Sequence, residues 1–293
     1  MKQTKKAWFA LLLAVVLLAT TLAACGGGGR EAGPPRPVIM DEVLDTFYFG
    51  IAFQRGNAVL RDQIWAALQV LSADGTVERI ARNWFGFDPT IIPPDITATE
   101  ALGEVRERTL IVGFDPAMAP KSYIDETGAL VGFDIDLAQA VSDYFGWTLA
   151  LLPIEWADRG MELQSGNVDT LWGGVTLTDQ MQARMYHTPP YMVNRQVLIT
   201  MSDSGINNLG RMRDRTLGIR GGVVAEIALE RNSRFESRLE EVSAFESLYE
   251  ALLEFEQGQI DAVLMDEAAA LYYVRGGNAA AFGGRVYEPP LVE

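Results

Sequence analysis

LIVGF (residues 110–114), FDIDLAQAVSDYF (133–145), TLALLPI (148–154), MELQSG (161–166) and DTLWGGV (169–175) follow one another as strand, helix, strand, helix, strand. Such alternation implies a mostly parallel sheet covered by helices, with ligand chemistry at the carboxyl ends of the strands. A second series begins near Asn208: TLGIRGG (216–222) reads as a strand, Val224 to Arg231 and Ser243 to Gln257 as helices, and DAVLMD (261–266) as a strand. Two α/β lobes follow. QVLIT (196–200) and the C-terminal RVYEPPLVE (285–293) read as the two crossing strands of a hinge between them.

Upstream, Phe47 to Phe53 is apolar enough for a buried strand. Asn57 is placed to cap a helix whose Leu60, Ile64, Leu68 and Leu71 share one face. Gly75 ends that helix, and Thr76 is placed to cap a shorter one with Ile80 and Trp84 turned inward. Pro89, Pro93 and Pro94 then break the chain.

At the N-terminus, Lys2, Lys5 and Lys6 precede the apolar run Trp8 to Leu18, the pattern of a secretory signal rather than a membrane span. Leu22-Ala23-Ala24-Cys25 is similar to a bacterial lipobox, which implies a leader of residues 1–24 and a lipidated Cys25. Two acyl chains, at about 0.8 kcal/mol per buried methylene, anchor stably where one does not. Cys25 is the single cysteine, so no intramolecular disulfide supports the fold. Gly26 to Gly29 and the Pro-rich residues after them read as a flexible tether over 25–37, and no Gly-Lys-Ser/Thr follows the glycines to make a phosphate loop.

The chain has 293 residues, with 39 acidic against 24 basic and a formal net charge of −15. The leader holds three of the basic residues. This balance argues against nucleic acid and anionic lipid as partners. It mildly favours cationic ligands, unless the acidic surface serves only solubility.

The block YFGIAFQRGNAVLRDQIWAALQVLSADGTVERIARNWFG (48–86) stands ahead of GFDPAMAPKSYIDETGALVGFDIDLAQAV (113–141). Together they resemble the amino-acid (family 3) class of bacterial extracytoplasmic solute-binding proteins, in which the second block opens the mature domain and the first closes it. The resemblance implies a two-lobed α/β fold of the periplasmic-binding-protein type II kind, here circularly permuted. Lobe 1 is expected over residues 38–195, with the family's C-terminal segment (38–97) ahead of its N-terminal segment (98–195). Lobe 2 is expected over 196–288. RPVIMDEVLD and RVYEPPLVE both resemble the family's second hinge strand, the overlap that tandem duplication and trimming would leave.

Carried over by position, Asp115 matches an acidic residue at the pocket mouth, and Met118 stands where a stacking aromatic usually does. Trp156 matches the aromatic that closes the other side of the ligand. Gly173, Gly174 and Thr176 match the turn that holds the ligand's ammonium and carboxylate, and Asp266 matches the second-lobe carboxylate that receives the α-ammonium. Asp115 and Asp266 each end an apolar strand, where a carboxylate needs water, a donor or a cation, although either also suits a helix cap or turn.

Two departures bear on the ligand. The arginine expected five residues after Thr176 is Met181, and the second-lobe loop Arg220-Gly221-Gly222-Val223-Val224 lacks its hydroxyls. An enclosed carboxylate without its charged partner loses about 3 to 5 kcal/mol. Two readings stay open: Arg220 reaches an amino acid's carboxylate from the opposite lobe, or the solute has none and Asp115, Asp266 and Trp156 bind an amine or quaternary ammonium. The balance leans to a small cationic nitrogen compound.

The resemblance further implies a monomer outside the cytoplasm, lipid-anchored to a membrane, that delivers its solute to the membrane subunits of an ABC importer by hinge closure. No cofactor or metal is implied. An enzyme of this fold, such as a dehydratase, or a sensing or interaction module is the alternative. His187 is the single histidine and reads as packed or surface, and no metal cluster, nucleophile motif or nucleotide loop is present.

Overall fold

QVLIT lies inside β10 (Met192–Met201), and the apolar Val197-Leu198-Ile199 at its centre follows from burial on both sides. Val197 and Ile199 face one core and Leu198 the other. The same alternation divides β13 (Ala262–Asp266), with Val263 and Met265 on one face and Ala262 and Leu264 on the other. In the computed structural model, which describes residues 34–277 and 279–283, these strands form the centre of a five-stranded sheet. The leader, Cys25, most of the tether and the strand expected at 285–293 lie outside the described residues.

That sheet has the order β1-β10-β13-β11-β12. β1 (Pro37–Phe49) runs antiparallel along β10, β10 antiparallel to β13, and β13, β11 (Thr216–Arg220) and β12 (Glu241–Phe245) are parallel. The helices Val223–Arg231 and Leu248–Glu256 cover its two faces.

A second sheet has the order β7-β3-β8-β2-β9. β3 (Thr109–Phe114) lies parallel to β7 (Thr148–Pro153) and β8 (Thr170–Leu171), while β2 (Ala52–Phe53) pairs antiparallel with β8 and β9 (Tyr186–His187). Leu60, Ile64 and Leu68 of the helix Ala58–Ala73 pack with Val77 and Ile80 of Thr76–Phe85 and with Phe133 and Leu137 of Phe133–Phe145 on one face. Residues 52–85 thus complete the same lobe as residues 109–187. A meander of β4 (Ala117–Met118), β5 (Ser122–Ile124) and β6 (Leu130–Val131) projects from this lobe, and its Ala119 and Tyr123 pack into the core of the other.

Three expectations change. β1 belongs to the second lobe's sheet, so the first lobe begins near Gly50 rather than at residue 38. Met40, Leu44 and Phe47 bury in the core formed with Leu198, Ile219 and Leu264, whereas Phe49 buries in the core with Phe53 and Phe133. The chain crosses between lobes at Phe49–Gly50 and again at Tyr191–Met192, which puts β1 and β10 side by side at the hinge. The helix expected from Ser243 starts at Leu248, because Glu241–Phe245 pairs as β12 and Ser247 caps the helix by accepting from Glu250 N at 3.2 Å. Neither Asn57 nor Thr76 caps by its side chain: the second helix starts after Gly75, and Asp74 accepts from Thr76 N instead.

Candidate functional site

The carboxyl ends of β3 and β13 face each other across the cleft between the lobes, and each ends in an aspartate. Asp115, 3 % exposed, follows β3, and Asp266 closes β13. A cavity of about 150 Å³ lies between them. Met118, Trp156, Gly174 and Thr176 line it from the first lobe, and Arg220 lines it from the second.

Neither acid stands alone. Arg220 Nη2 donates to Asp115 Oδ2 at 2.8 Å and its Nη1 to Met118 Sδ at 3.4 Å, so the Arg220 side chain spans the cleft. Asp115 Oδ1 accepts from the Ala117 N–H at 2.9 Å. Lys121, at the turn between β4 and β5, places its Nζ 2.5 Å from Asp266 Oδ2 and 4.1 Å from the centre of the Phe49 ring. Gln196 Nε2 donates to Asp266 Oδ1 at 2.6 Å. Burial works to raise the Asp266 carboxyl, but the Lys121 charge and the bonds from Lys121, Gln196 and Asn194 outweigh it and hold the group below the usual carboxylate range.

Beside this cavity lies a second, of about 400 Å³, whose wall includes Trp156, Arg159, Thr176, Met181 and Arg220. Arg159 Nη1 donates to the Trp156 carbonyl at 2.5 Å, and its guanidinium lies 5.2 Å from the indole centre. Burial pulls the Arg159 pKa down, and the charge of Asp115 opposes that pull. Behind the first cavity Asp134, 1 % exposed, accepts from the Tyr191 hydroxyl at 2.7 Å.

Of the residues singled out from sequence, Asp115, Met118, Trp156, Gly174, Thr176, Arg220 and Asp266 line the central cavity. Gly173 does not: it backs onto Ser122 and Asp134, where a φ of +102° and the nearness of Ser122 Oγ require glycine. Met181 lies only on the neighbouring cavities, packed with Ile154 and Leu163. His187 is half-buried in β9 with Nδ1 2.7 Å from the Thr188 carbonyl, away from the cleft.

Sequence reasoning missed Lys121, Arg159, Asn194 and Gln196. A lysine inside the apolar AMAPKSYI (117–124) was a legible sign, because a charge there requires a partner. Asn194 and Gln196 are polar at alternate positions of β10, which sends both to one face, and that face is the cavity wall. Among the described residues, no group of His, Cys, Asp and Glu could hold a metal ion, and no helix is long and apolar enough to cross a membrane.

The sequence pattern of the bacterial extracellular solute-binding proteins, family 3, matches residues 110–279. The L-cystine-binding protein of Escherichia coli (strain K12) is 27% identical over 180 residues, which are 60% of this chain and 66% of that protein, so the chain spans just under two thirds of its length. The crystal structure of an ABC uptake transporter substrate binding protein from Streptococcus pneumoniae with bound histidine is similar with a TM-score of 0.53 and 32% identity, over 57% of this chain and 69% of that one. Cyclohexadienyl dehydratase of Pseudomonas aeruginosa is 28% identical over 82 residues, 28% of this chain and 31% of the enzyme.

Proposed function

Because the chain belongs to the bacterial extracellular solute-binding proteins of family 3 and has their two-lobed type II fold, we propose that it is a receptor for a small amino-acid-like solute. The cleft takes up the solute, the lobes close on the β1–β10 hinge, and the membrane subunits of an ABC importer receive the solute from the closed form. The observation that carries this reading is a cavity walled from both lobes, with Trp156 and Thr176 on one side and Arg220 and Asp266 on the other.

Within the two ligand classes that the sequence left open, the geometry favours a solute bearing a carboxylate. Arg159 brings a guanidinium into the cavity that Met181 lines, and both acids already hold a cation of the protein. The names of the relatives from E. coli and S. pneumoniae, which refer to cystine and histidine, support the same class. Binding rather than dehydration is the activity assigned, since the likeness to the dehydratase covers only 28% of the chain.

The receptor is read as a monomer tethered through lipid on Cys25 outside the cytoplasm, and as circularly permuted. The family pattern begins at residue 110, yet residues 52–85 supply β2 and two helices to the same lobe.

Small-angle scattering tests the mechanism: a bound solute should lower the radius of gyration and be recovered chemically unchanged. Identical profiles with solute demonstrably bound count against closure, and a converted solute counts against the receptor reading. Cys25→Ser should move the protein from the membrane to the soluble fraction. A chain that starts near residue 98 and carries residues 38–97 after lobe 2 should fold and bind alike if the order is a permutation.

A further inference from the structure

Hydrogen-bonding capacity in the cleft is used unevenly. All four oxygens of Asp115 and Asp266 accept from the protein itself: from Ala117 N, Arg220, Gln196 and Lys121. Each carboxylate also has its own cation in contact. On the cavity wall a hydroxyl remains unmet, and guanidinium donors stand beside it. Thr176 Oγ1 is buried on the cavity wall without completing a hydrogen bond, in a residue 6 % exposed. Such groups pay the full desolvation cost until an acceptor arrives. Arg159 gives one N–H to the Trp156 carbonyl and has others to spare. The helix Val223–Arg231 also begins at the cavity wall, with Gly222 and Val224 lining it, which adds the positive end of its dipole.

Charge points the same way. Lys121 and Arg220 balance Asp115 and Asp266, and Arg159 adds a further positive charge next to them. Glu155 and Glu246 on the outer wall are exposed, where water screens them.

We propose that the solute of this cleft is a small monocarboxylate recognised through its oxygens, and that Lys121 determines this specificity by seating its own ammonium on Asp266. A free α-amino group on the solute then meets, on the cavity wall, only carboxylates that already hold a cation of the protein. The cavity between the two acids offers Met118, Trp156 and Leu264 to a short apolar tail. This inference rests on the receptor reading and departs from it in one respect: the solute keeps an amino acid's carboxylate but needs no α-ammonium.

Calorimetric titration and scattering with matched probes decide between the possibilities. Acetate, propionate and isobutyrate should bind the wild-type protein and compact it. Alanine should bind no better than propionate, and ethylamine and choline should not bind. Lys121→Met should shift the preference at least about tenfold from propionate toward alanine, because Asp266 becomes free to accept an ammonium. Where that variant does not fold, Thr176→Val takes its place, with about a tenfold loss of propionate affinity expected at unchanged thermal stability and recovery in Thr176→Ser. Closure by alanine or ethylamine in preference to propionate overturns the monocarboxylate assignment and leaves the receptor standing. Failure of acetate, propionate and isobutyrate to bind overturns the monocarboxylate assignment, whereas the receptor reading falls only if a solute that binds is converted or leaves the scattering profile unchanged.

Discussion

Lys121 and Asp266 meet across the cleft at 2.5 Å, with side chains 1 % and 16 % exposed. Each charge is the other's counter-ion at this burial, so the pair ties the β4–β5 turn of one lobe to the end of β13 in the other. Removing one partner of such a pair costs about 3 to 5 kcal/mol, because it strands the remaining charge. Lys121→Met should therefore lower the melting temperature by on the order of 10 °C for a chain of this size. Lys121→Met combined with Asp266→Leu should recover most of that loss. Thermal melts of the wild type, both single variants and the double variant check this, and additive losses would show that the two groups are not coupled.

Asp134 gives a pH dependence of the opposite sense from the usual carboxylate. Burial pushes its carboxyl up to about 7, against the pull of the Tyr191 hydroxyl, the Lys121 charge and Trp172. An unfolded aspartate ionises near pH 4. Between about pH 4 and 7 the folded state therefore holds a proton that the unfolded state has lost, and stability falls as pH rises through this window. Asp266, depressed by Lys121, acts in the other direction, and its contribution is lost only as pH falls below the usual carboxylate range. Asp134→Asn keeps an acceptor for Tyr191 without the titration, so its melting temperature should vary less between pH 4 and 7. An unaltered slope would mean that Asp134 ionises normally in the folded protein.

The fold was legible where apolar runs were buried by local rule. LIVGF, the helix Phe133–Phe145 and DAVLMD stand where their patterns put them, since each is short, bounded and apolar on the face or faces it buries. β1 was harder to assign. It exposes Asp41 and Glu42 and changes lobes between Phe47 and Phe49, and only pairing with β10 decides where it belongs. The site was half legible for a similar reason. Acids at strand ends announce themselves, but the bases that neutralise them lie far away in sequence, Lys121 from Asp266 by 145 positions and Arg220 from Asp115 by 105. A count of acids without those partners suggested a seat for cations.

Gly132 and Gly174 both have positive φ, at 142° and 92°, yet their substitution should differ in cost. A side chain at Gly174 would meet Met118 and Trp156 at 3.5 to 3.6 Å, an ordinary contact, so Gly174→Ala carries only the backbone strain of about 1–2 kcal/mol. At Gly132 the added carbon would fall inside the Lys121 carbonyl, part of the turn that aims the lysine at Asp266. Gly132→Ala should cost about 3 kcal/mol or more and should also disturb solute binding. Denaturant melts that ranked the two variants equally would contradict this placement of the Lys121 turn.

Arg220 and Asp115 form the second tie across the cleft, and here two substitutions separate latch from ligand contact. The Asp115 side chain is 5 % exposed and keeps its bond from Ala117 N if Arg220 is removed, while the Arg220 side chain is 29 % exposed and would be free to swing if Asp115 lost its charge. Arg220→Ala and Asp115→Asn should both enlarge the radius of gyration without solute, since each removes the same attraction between lobes. Their effects on carboxylate binding should have opposite signs. Arg220→Ala removes a donor from the cavity and should weaken propionate by about tenfold or more. Asp115→Asn releases the guanidinium and removes a repelling charge, so binding should hold or strengthen. Titrations in which both variants lose affinity alike would reduce the pair to a latch and take Arg220 out of solute recognition.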